Sequence, residues 1–227
     1  MNKLIAVDLF SGAGGSSAGL LAAGFEVTLA VENDPRAAKA YQLNFPEAIV
    51  LERDIRELHG SELFDLLENK PDLLAASPPC EEYSRANSKR KKRPLDRLFD
   101  TQGGRLVLDA IRMIGDLTPS RFIIENVPGM WDGALRTALS YEFERVGIRP
   151  ESLAVTFFSA ENYGIPNRRR RVFITNFSLS LHQLPYVPCQ DVLKLPEPTP
   201  NHPLRNNNPV PISPKYASRL HKAGRKG

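Results

Sequence analysis

Up to about residue 176, short apolar runs alternate with segments of helical period, and this alternation limits the chain to few architectures. Residues 4–10, 25–31, 48–51, 73–76, 122–125, 154–158 and 171–175 read as strands. Residues 16–23, 35–44, 62–68, 104–117 and 134–146 read as helices, with Pro35 pre-set for a first helical turn. Apolar strands separated by helices argue for a parallel sheet covered on both faces. The expected class is therefore α/β, with a doubly wound, mostly parallel, Rossmann-like sheet. Such sheets bind ligands beyond the carboxyl ends of their strands, so the turns that follow strands are where chemistry is to be sought.

Two segments break the rhythm. Residues 80–103 are polar and basic with no clear period, which is long for a structureless loop unless it is functional. Residues 183–227 are proline-rich and read as a tail or linker, so the expected division is a domain over 1–182 and a tail over 183–227. With 227 residues, 41% hydrophobic and 25% charged, the chain can bury one sizeable core. A net charge of +4 permits a nucleic-acid partner without requiring one. Two cysteines, Cys80 and Cys189, exclude a disulfide framework and point to a reducing, cytoplasmic setting. Scattered histidines without a Cys-x-x-Cys pair argue against a zinc site, and no metal is expected. No apolar run approaches the ~18 residues of a membrane span.

The first turn of interest is D-L-F-S-G-A-G-G-S-S, residues 8–17, between a strand and a helix. Its glycines let backbone approach a ligand closely. Glu32 ends the next strand, where a carboxylate can accept from ribose hydroxyls, and Asp54 ends the one after. This pattern indicates a nucleoside-containing cofactor. The turn departs from G-x-G-x-x-G because position 17 is Ser17, which disfavours a dinucleotide.

The second is A-A-S-P-P-C-E-E-Y-S, residues 75–84. Two prolines stiffen the turn that presents Cys80 at the rim of the sheet. A buried, inert thiol is the commoner fate of a free cysteine; the polar neighbours Glu81, Glu82 and Ser84 argue instead for a nucleophile. Glu125 stands where the strand of F-I-I-E-N-V-P-G stops and can be a hydrogen-bond acceptor or a general acid. In the extended run from Arg168 to Arg171, alternate side chains share a face. Arg169 and Arg171 should point one way, Arg168 and Arg170 the other; the run could equally be a solvated charge cluster.

Taken in this order, D-L-F-S-G-A-G-G, V-E-N-D, R-D-I, P-P-C-E-E-Y-S, E-N-V and N-x-R-x-R resemble the motifs of the cytosine-5 DNA methyltransferase family over residues 4 to about 176. The resemblance implies an S-adenosylmethionine-dependent methyltransferase acting on double-stranded DNA. By this likeness Phe10, Ser11, Gly12 and Gly14 form the cofactor loop, Glu32 takes the ribose, Asp54 the adenine, and Pro78 walls the pocket. Cys80 is the implied nucleophile, Glu125 the group that grips the base, and Arg171 with Arg169 its support. The target base must leave the stack to be reached. The loop bearing Ser84, Arg85, Lys89, Arg90, Lys91, Lys92, Arg93 and Arg97 is expected to close over DNA phosphates.

Asn167 stands where the family usually has Gln, and Glu81 follows Cys80 where Gln is common. Family members continue into a target-recognition domain that has no counterpart up to Gly227. The expectation is an enzyme completed by a second chain or a further segment. The alternatives are an inactive cofactor- or DNA-binding remnant, or a relative acting on RNA.

Overall fold

The structure, a computed structural model, describes residues 3–67 and 69–192. Among these residues β1 (Leu4–Leu9), β2 (Phe25–Glu32), β3 (Ile49–Glu52), β4 (Leu73–Ala76), β5 (Arg121–Asn126), β6 (Ala154–Ser159) and β7 (Arg170–Thr175) form one sheet. Its order is β3-β2-β1-β4-β5-β7-β6. β1 to β5 pair in parallel, and β7 runs antiparallel between β5 and β6. The reversal follows from chain length. Residues 160–169 hold no crossover helix, and a parallel return needs a dozen residues or more.

The helices are α1 (Gly15–Ala22), α2 (Pro35–Asn44), α3 (Gly60–Leu66), α4 (Pro94–Phe99), α5 (Gln102–Leu117) and α6 (Ala134–Arg145). Period-2 alternation on β1 divides them between the two faces. Val7 and Leu9 enter the larger core with Leu63 of α3, Ile111 of α5 and Phe143 of α6. Ala6 enters a smaller cluster with Leu20 of α1 and Val27 of β2. β5 alternates in the same way: Phe122, Ile124 and Asn126 are buried, while Ile123 and Glu125 are only half-buried. The mostly parallel, doubly wound α/β sheet expected from the sequence is the fold observed.

Element starts differ where side chains extend a helix beyond its apolar stripe. α3 begins at Gly60, before the expected residue 62, because Glu62 Oε1 reaches back to accept from His59 N at 2.9 Å. The expected end of that helix, Glu68, lies outside the described residues.

Residues 80–103, expected to lack regular structure, contain α4. Pro94 occupies its first turn, and Leu98 is fully buried among the residues of the larger core. A single buried apolar position in six residues leaves too little period to detect in sequence.

The first compact unit ends at Tyr186. Leu184 is tied to it by a bridge to Tyr163 and by Leu184 N donating to Asn162 O at 2.9 Å. In the second unit the described residues hold one helical turn, α7 (Cys189–Val192). The remainder of the expected tail, residues 193–227, lies outside the described residues.

Gly104 joins α5 to the loop. Its carbonyl accepts from Tyr83 Oη at 2.6 Å, and a Cβ there would overlap the carbonyl oxygen of Arg97. Gly104→Ala is expected to lose about 1–3 kcal/mol, the usual cost of overpacking, read by urea denaturation.

Candidate active site

The glycine turn is built by left-handed backbone and by one carboxylate. Phe10 (φ 59), Gly12 (φ 55) and Gly14 (φ 97) carry the chain from β1 into α1. A side chain at Gly14 would run into the ring of Phe45. Glu32 Oε2 accepts from Gly12 N, and its Oε1 accepts from Asp34 N, each at 2.8 Å. Ser11 N donates to Val31 O at 3.1 Å, and Asn44 Nδ2 donates to Ala13 O at 2.9 Å. The turn is thereby held from β2 and α2 before any ligand arrives.

Two cavities of about 550 and 540 Å³ flank this turn. The first lies against Ser11, Gly15, Ser16, Ala75 and Glu125. The second lies against Glu32, Asp54, Ile55, Pro79 and Leu106. Phe10 and Ser77 line both, so the cavities adjoin. Their mix of apolar wall and carboxylate suits a nucleoside with an attached amino-acid chain. Asp54 Oδ1 accepts from Arg56 Nε at 2.9 Å, and this guanidinium holds the Asp54 carboxyl below its usual range. Asp54 Oδ1 also accepts from Arg56 N at 3.0 Å, and Oδ2 accepts from Arg56 Nη2 at 2.5 Å, so both Asp54 oxygens are engaged by Arg56. Each Glu32 oxygen, by contrast, has one donor and keeps capacity for a second.

Pro78, expected at the cofactor wall, is buried, and Pro79 lines the second cavity in its place. The cause is Asn126. Its Nδ2 donates to Pro78 O at 2.9 Å, while its Oδ1 accepts from Val127 N at 2.8 Å. The amide thus locks the end of β4 to the end of β5, and Cys80 follows two residues later, half-buried. Cys80 O accepts from Tyr83 N at 3.1 Å and from Ser84 N at 3.0 Å. Tyr83 is buried, and burial raises its hydroxyl pKa well above the usual tyrosine range. The thiol-bearing turn is therefore anchored on both sides.

Glu125 faces the glycine-turn cavity from β5. Its Oε1 accepts from Arg169 Nη2 at 3.1 Å and forms an ion pair with Arg171, whose Nε lies 2.8 Å away. Arg169 and Arg171 share a face, as the alternation requires. Arg170 points away, its guanidinium 5.7 Å from the centroid of the Phe157 ring. The cofactor-turn residues, Glu125 and Arg169 thus surround one space, and Arg171 joins them through Glu125.

The basic loop divides into three groups, the first joined by Arg170 of β7. Ser84, Arg85 and Arg170 line a small cavity of about 280 Å³ with Val127, Pro128 and Gly129. Lys89, Lys91, Lys92 and Arg93 are exposed. Arg97, expected to reach DNA, donates instead to Lys91 O at 2.6 Å and Lys92 O at 2.9 Å. Arg90 is partly buried, with Nη1 3.5 Å from Tyr83 O. These two guanidiniums satisfy carbonyls of an irregular backbone and hold the loop's shape. The sequence assigned no site role of their own to Asn44, Ser77 and Asn126, and gave Pro79 only that of stiffening the Cys80 turn. Of these, Asn126 alone carried a signal, a polar amide ending an apolar strand.

The sequence profile of C-5 cytosine-specific DNA methylases matches residues 4–216. A Methanocaldococcus jannaschii protein assigned as type II methyltransferase M.MjaORF1200P is 31% identical over 96% of this chain and 72% of its own. Type II methyltransferase M.AquIA of Picosynechococcus sp. is 32% identical over 85% of this chain and 75% of its own. Among solved structures, a prophage-encoded Escherichia coli protein assigned as a DNA modification methyltransferase superposes with a TM-score of 0.68. It is 26% identical, over 86% of this chain and 56% of that one. Spodoptera frugiperda DNMT2 shares the fold, with a TM-score of 0.57 and 24% identity over 76% and 49% of the two chains. The chain therefore spans about half the length of these solved structures.

Proposed function

Because this chain belongs to the C-5 cytosine-specific DNA methylase family, we propose that it transfers a methyl group from S-adenosylmethionine to carbon 5 of cytosine in DNA. One observation carries the reading. Glu125, gripped by Arg171 and Arg169, lines the same cavity as the glycine turn, and Asn126 beside it ties down the turn that bears Cys80. A base-binding acid, a thiol and a cofactor turn on one rim are what this chemistry needs.

The cofactor residues fit a nucleoside amino acid. Glu32 offers acceptors in one cavity, where Asp54, bound to Arg56, also lies on the lining, and the turn offers close backbone in the other. Bound there, S-adenosylmethionine supplies an electrophilic methyl group.

The chain's own residues prepare the acceptor. The Cys80 thiolate adds to carbon 6 of the extruded cytosine, forming an S–C bond and pushing electrons toward carbon 5. Glu125 holds and protonates ring nitrogen 3, which draws those electrons through the ring. Arg171 and Arg169 fix the Glu125 carboxyl in place. Carbon 5 would take the methyl group as the sulfur–methyl bond breaks and its electrons stay on the thioether. Carbon 5 then loses its proton to water, and ring nitrogen 3 returns its proton to Glu125. The returning electron pair expels the Cys80 thiolate and restores the aromatic ring. The base is reached only outside the stack.

Exposed cations of residues 84–93 would contact phosphates, and Arg85 and Arg170 are the best placed because they share a cavity beside the Cys80 turn. Arg85→Gln and Arg170→Gln are each expected to flatten the slope of log K against log salt by about 0.9. Fluorescence anisotropy with a labelled duplex measures this. An unchanged slope in both variants removes the two arginines from the interface.

Completion by a second chain or a further segment carrying the target-recognition part belongs to the proposal. The test is transfer of tritiated methyl from S-adenosylmethionine to DNA, with and without that complementary part and with RNA as competitor. Transfer to cytosine that depends on Cys80 supports the reading. Cofactor binding without transfer in any pairing would leave only a binding module, and preference for RNA would reassign the substrate.

A further inference from the structure

The catalytic scheme gives no role to Asp8, although its surroundings are unusual. It is fully buried near the end of β1, on the face that carries Ala6 and α1. Its Oδ2 accepts from Ser17 Oγ of α1 at 2.6 Å, and that oxygen lies 2.6 Å from Tyr41 Oη of α2. Its Oδ1 is buried without a hydrogen-bond partner.

Among the described residues no cation stands beside Asp8 to compensate the charge. α1 contributes Ser17 and α2 contributes Tyr41. β2 contributes Glu32, a like charge. β4 contributes Ala75, the residue paired with Asp8 across the sheet. Ala75 also lines the glycine-turn cavity, as do Gly15 and Ser16 at the start of α1. Asp8 therefore stands on the strand next to one that lines that cavity.

Burial first, then the Glu32 charge, raise the Asp8 pKa to about 6, against the lowering effect of the Ser17 hydrogen bonds. Asp8 is thus mainly ionised above neutrality. A buried carboxylate with one oxygen unpaired is costly for a merely structural junction, which a neutral side chain would serve better. The uncompensated charge instead places negative potential behind a cavity wall of low polarity, where it falls off slowly.

We propose that Asp8 is a specificity-determining residue: its buried carboxylate, which has no counter-cation beside it, favours a ligand bearing a sulfonium charge over the neutral thioether left after methyl transfer. The inference rests on the cofactor reading above. It gives the protein a way to hold the methyl donor and release the spent product, since the two ligands differ at sulfur by one methyl and one positive charge.

The test is calorimetric binding of S-adenosylmethionine and of S-adenosylhomocysteine to the full chain, wild type and Asp8→Asn, at about pH 5 and about pH 8. The α-amino and carboxylate groups occur in both ligands, so their titration cancels in the ratio of dissociation constants. For the wild type the preference for the sulfonium ligand should be about tenfold greater at the higher pH. Asp8→Asn should keep the low-pH preference at both values.

The variant is expected to fold. A raised carboxyl pKa adds stability fully present below the ordinary value of 3.8 and lost as pH rises through about 6, so at pH 8 the amide should melt no lower than the wild type. If it does not fold, the wild-type pH series decides alone. Equal weakening of both ligands in Asp8→Asn, or a wild-type ratio indifferent to pH, overturns the proposal and leaves Asp8 a structural residue. Absence of binding by either ligand to the wild type overturns the cofactor reading itself, and this inference with it.

Discussion

Cys80→Ser lowers methyl transfer to cytosine by at least about three orders of magnitude, while S-adenosylmethionine binding and thermal stability persist. A serine hydroxyl remains protonated where a thiol supplies thiolate, so it adds poorly to carbon 6 of the base. The change is close to isosteric. The turn around it is held by backbone and by other side chains: Ser77 N on Leu9 O, Asn126 on Pro78 O, and Tyr83 Oη on Gly104 O. The fold therefore has no reason to shift.

Two measurements check this result. Tritiated methyl incorporation reads the rate, and duplexes carrying 5-fluorocytosine read the covalent step. Fluorine at carbon 5 prevents the proton loss that would release the thiolate, so wild-type protein should stay attached through denaturation. The serine variant should not. Undiminished incorporation by Cys80→Ser would sink the assignment of the nucleophile, whatever the fate of the cofactor site.

Glu125→Gln carries the next largest effect, an expected fall of about 10²–10⁴ in kcat with the DNA KM little changed. The amide can still hydrogen-bond a ring nitrogen, but it cannot pass a proton to it. The variant also discharges the partner of two guanidiniums. Arg171 and Glu125 are about equally shielded, at 19% and 21% side-chain exposure, whereas Arg169 is 52% exposed. Solvent screens an exposed pair strongly, so Arg171→Ala should impair catalysis more than Arg169→Ala. In the Glu125→Gln background the Arg171 effect should largely vanish, because both residues act through one carboxyl position. Additive losses in that cycle would mean that Arg171 works independently of Glu125.

Much of the fold was legible because strands at the centre of the sheet are buried on both faces and run apolar. β4 is the clearest case: the run L-L-A-A coincides with the strand, and all its residues are buried. The glycine turn was legible for a related reason, since left-handed backbone, as at Gly12 and Gly14, favours residues without a Cβ. The shared face of Arg169 and Arg171 followed from the two-residue period of an extended chain. Such rules act over a few residues, and local sequence contains them whole.

What local sequence could not contain was decided by distant partners. Whether Pro78 or Pro79 met the cavity depended on an amide 48 positions away from the first of them. Arg97 looked like its basic neighbours until its guanidinium turned back to the carbonyls of Lys91 and Lys92. Asp8 read as one letter of a cofactor motif; only the packing of α1 and α2 over β1 showed a sealed carboxylate with one oxygen unmatched. The sequence by itself determined where strands stop and which reactive groups stand at their ends, because periodicity and backbone sterics are short-ranged. Tertiary structure alone decided which of those groups share a space, which charges are neutralised and which are left bare, because burial and hydrogen bonding depend on residues far apart in the chain.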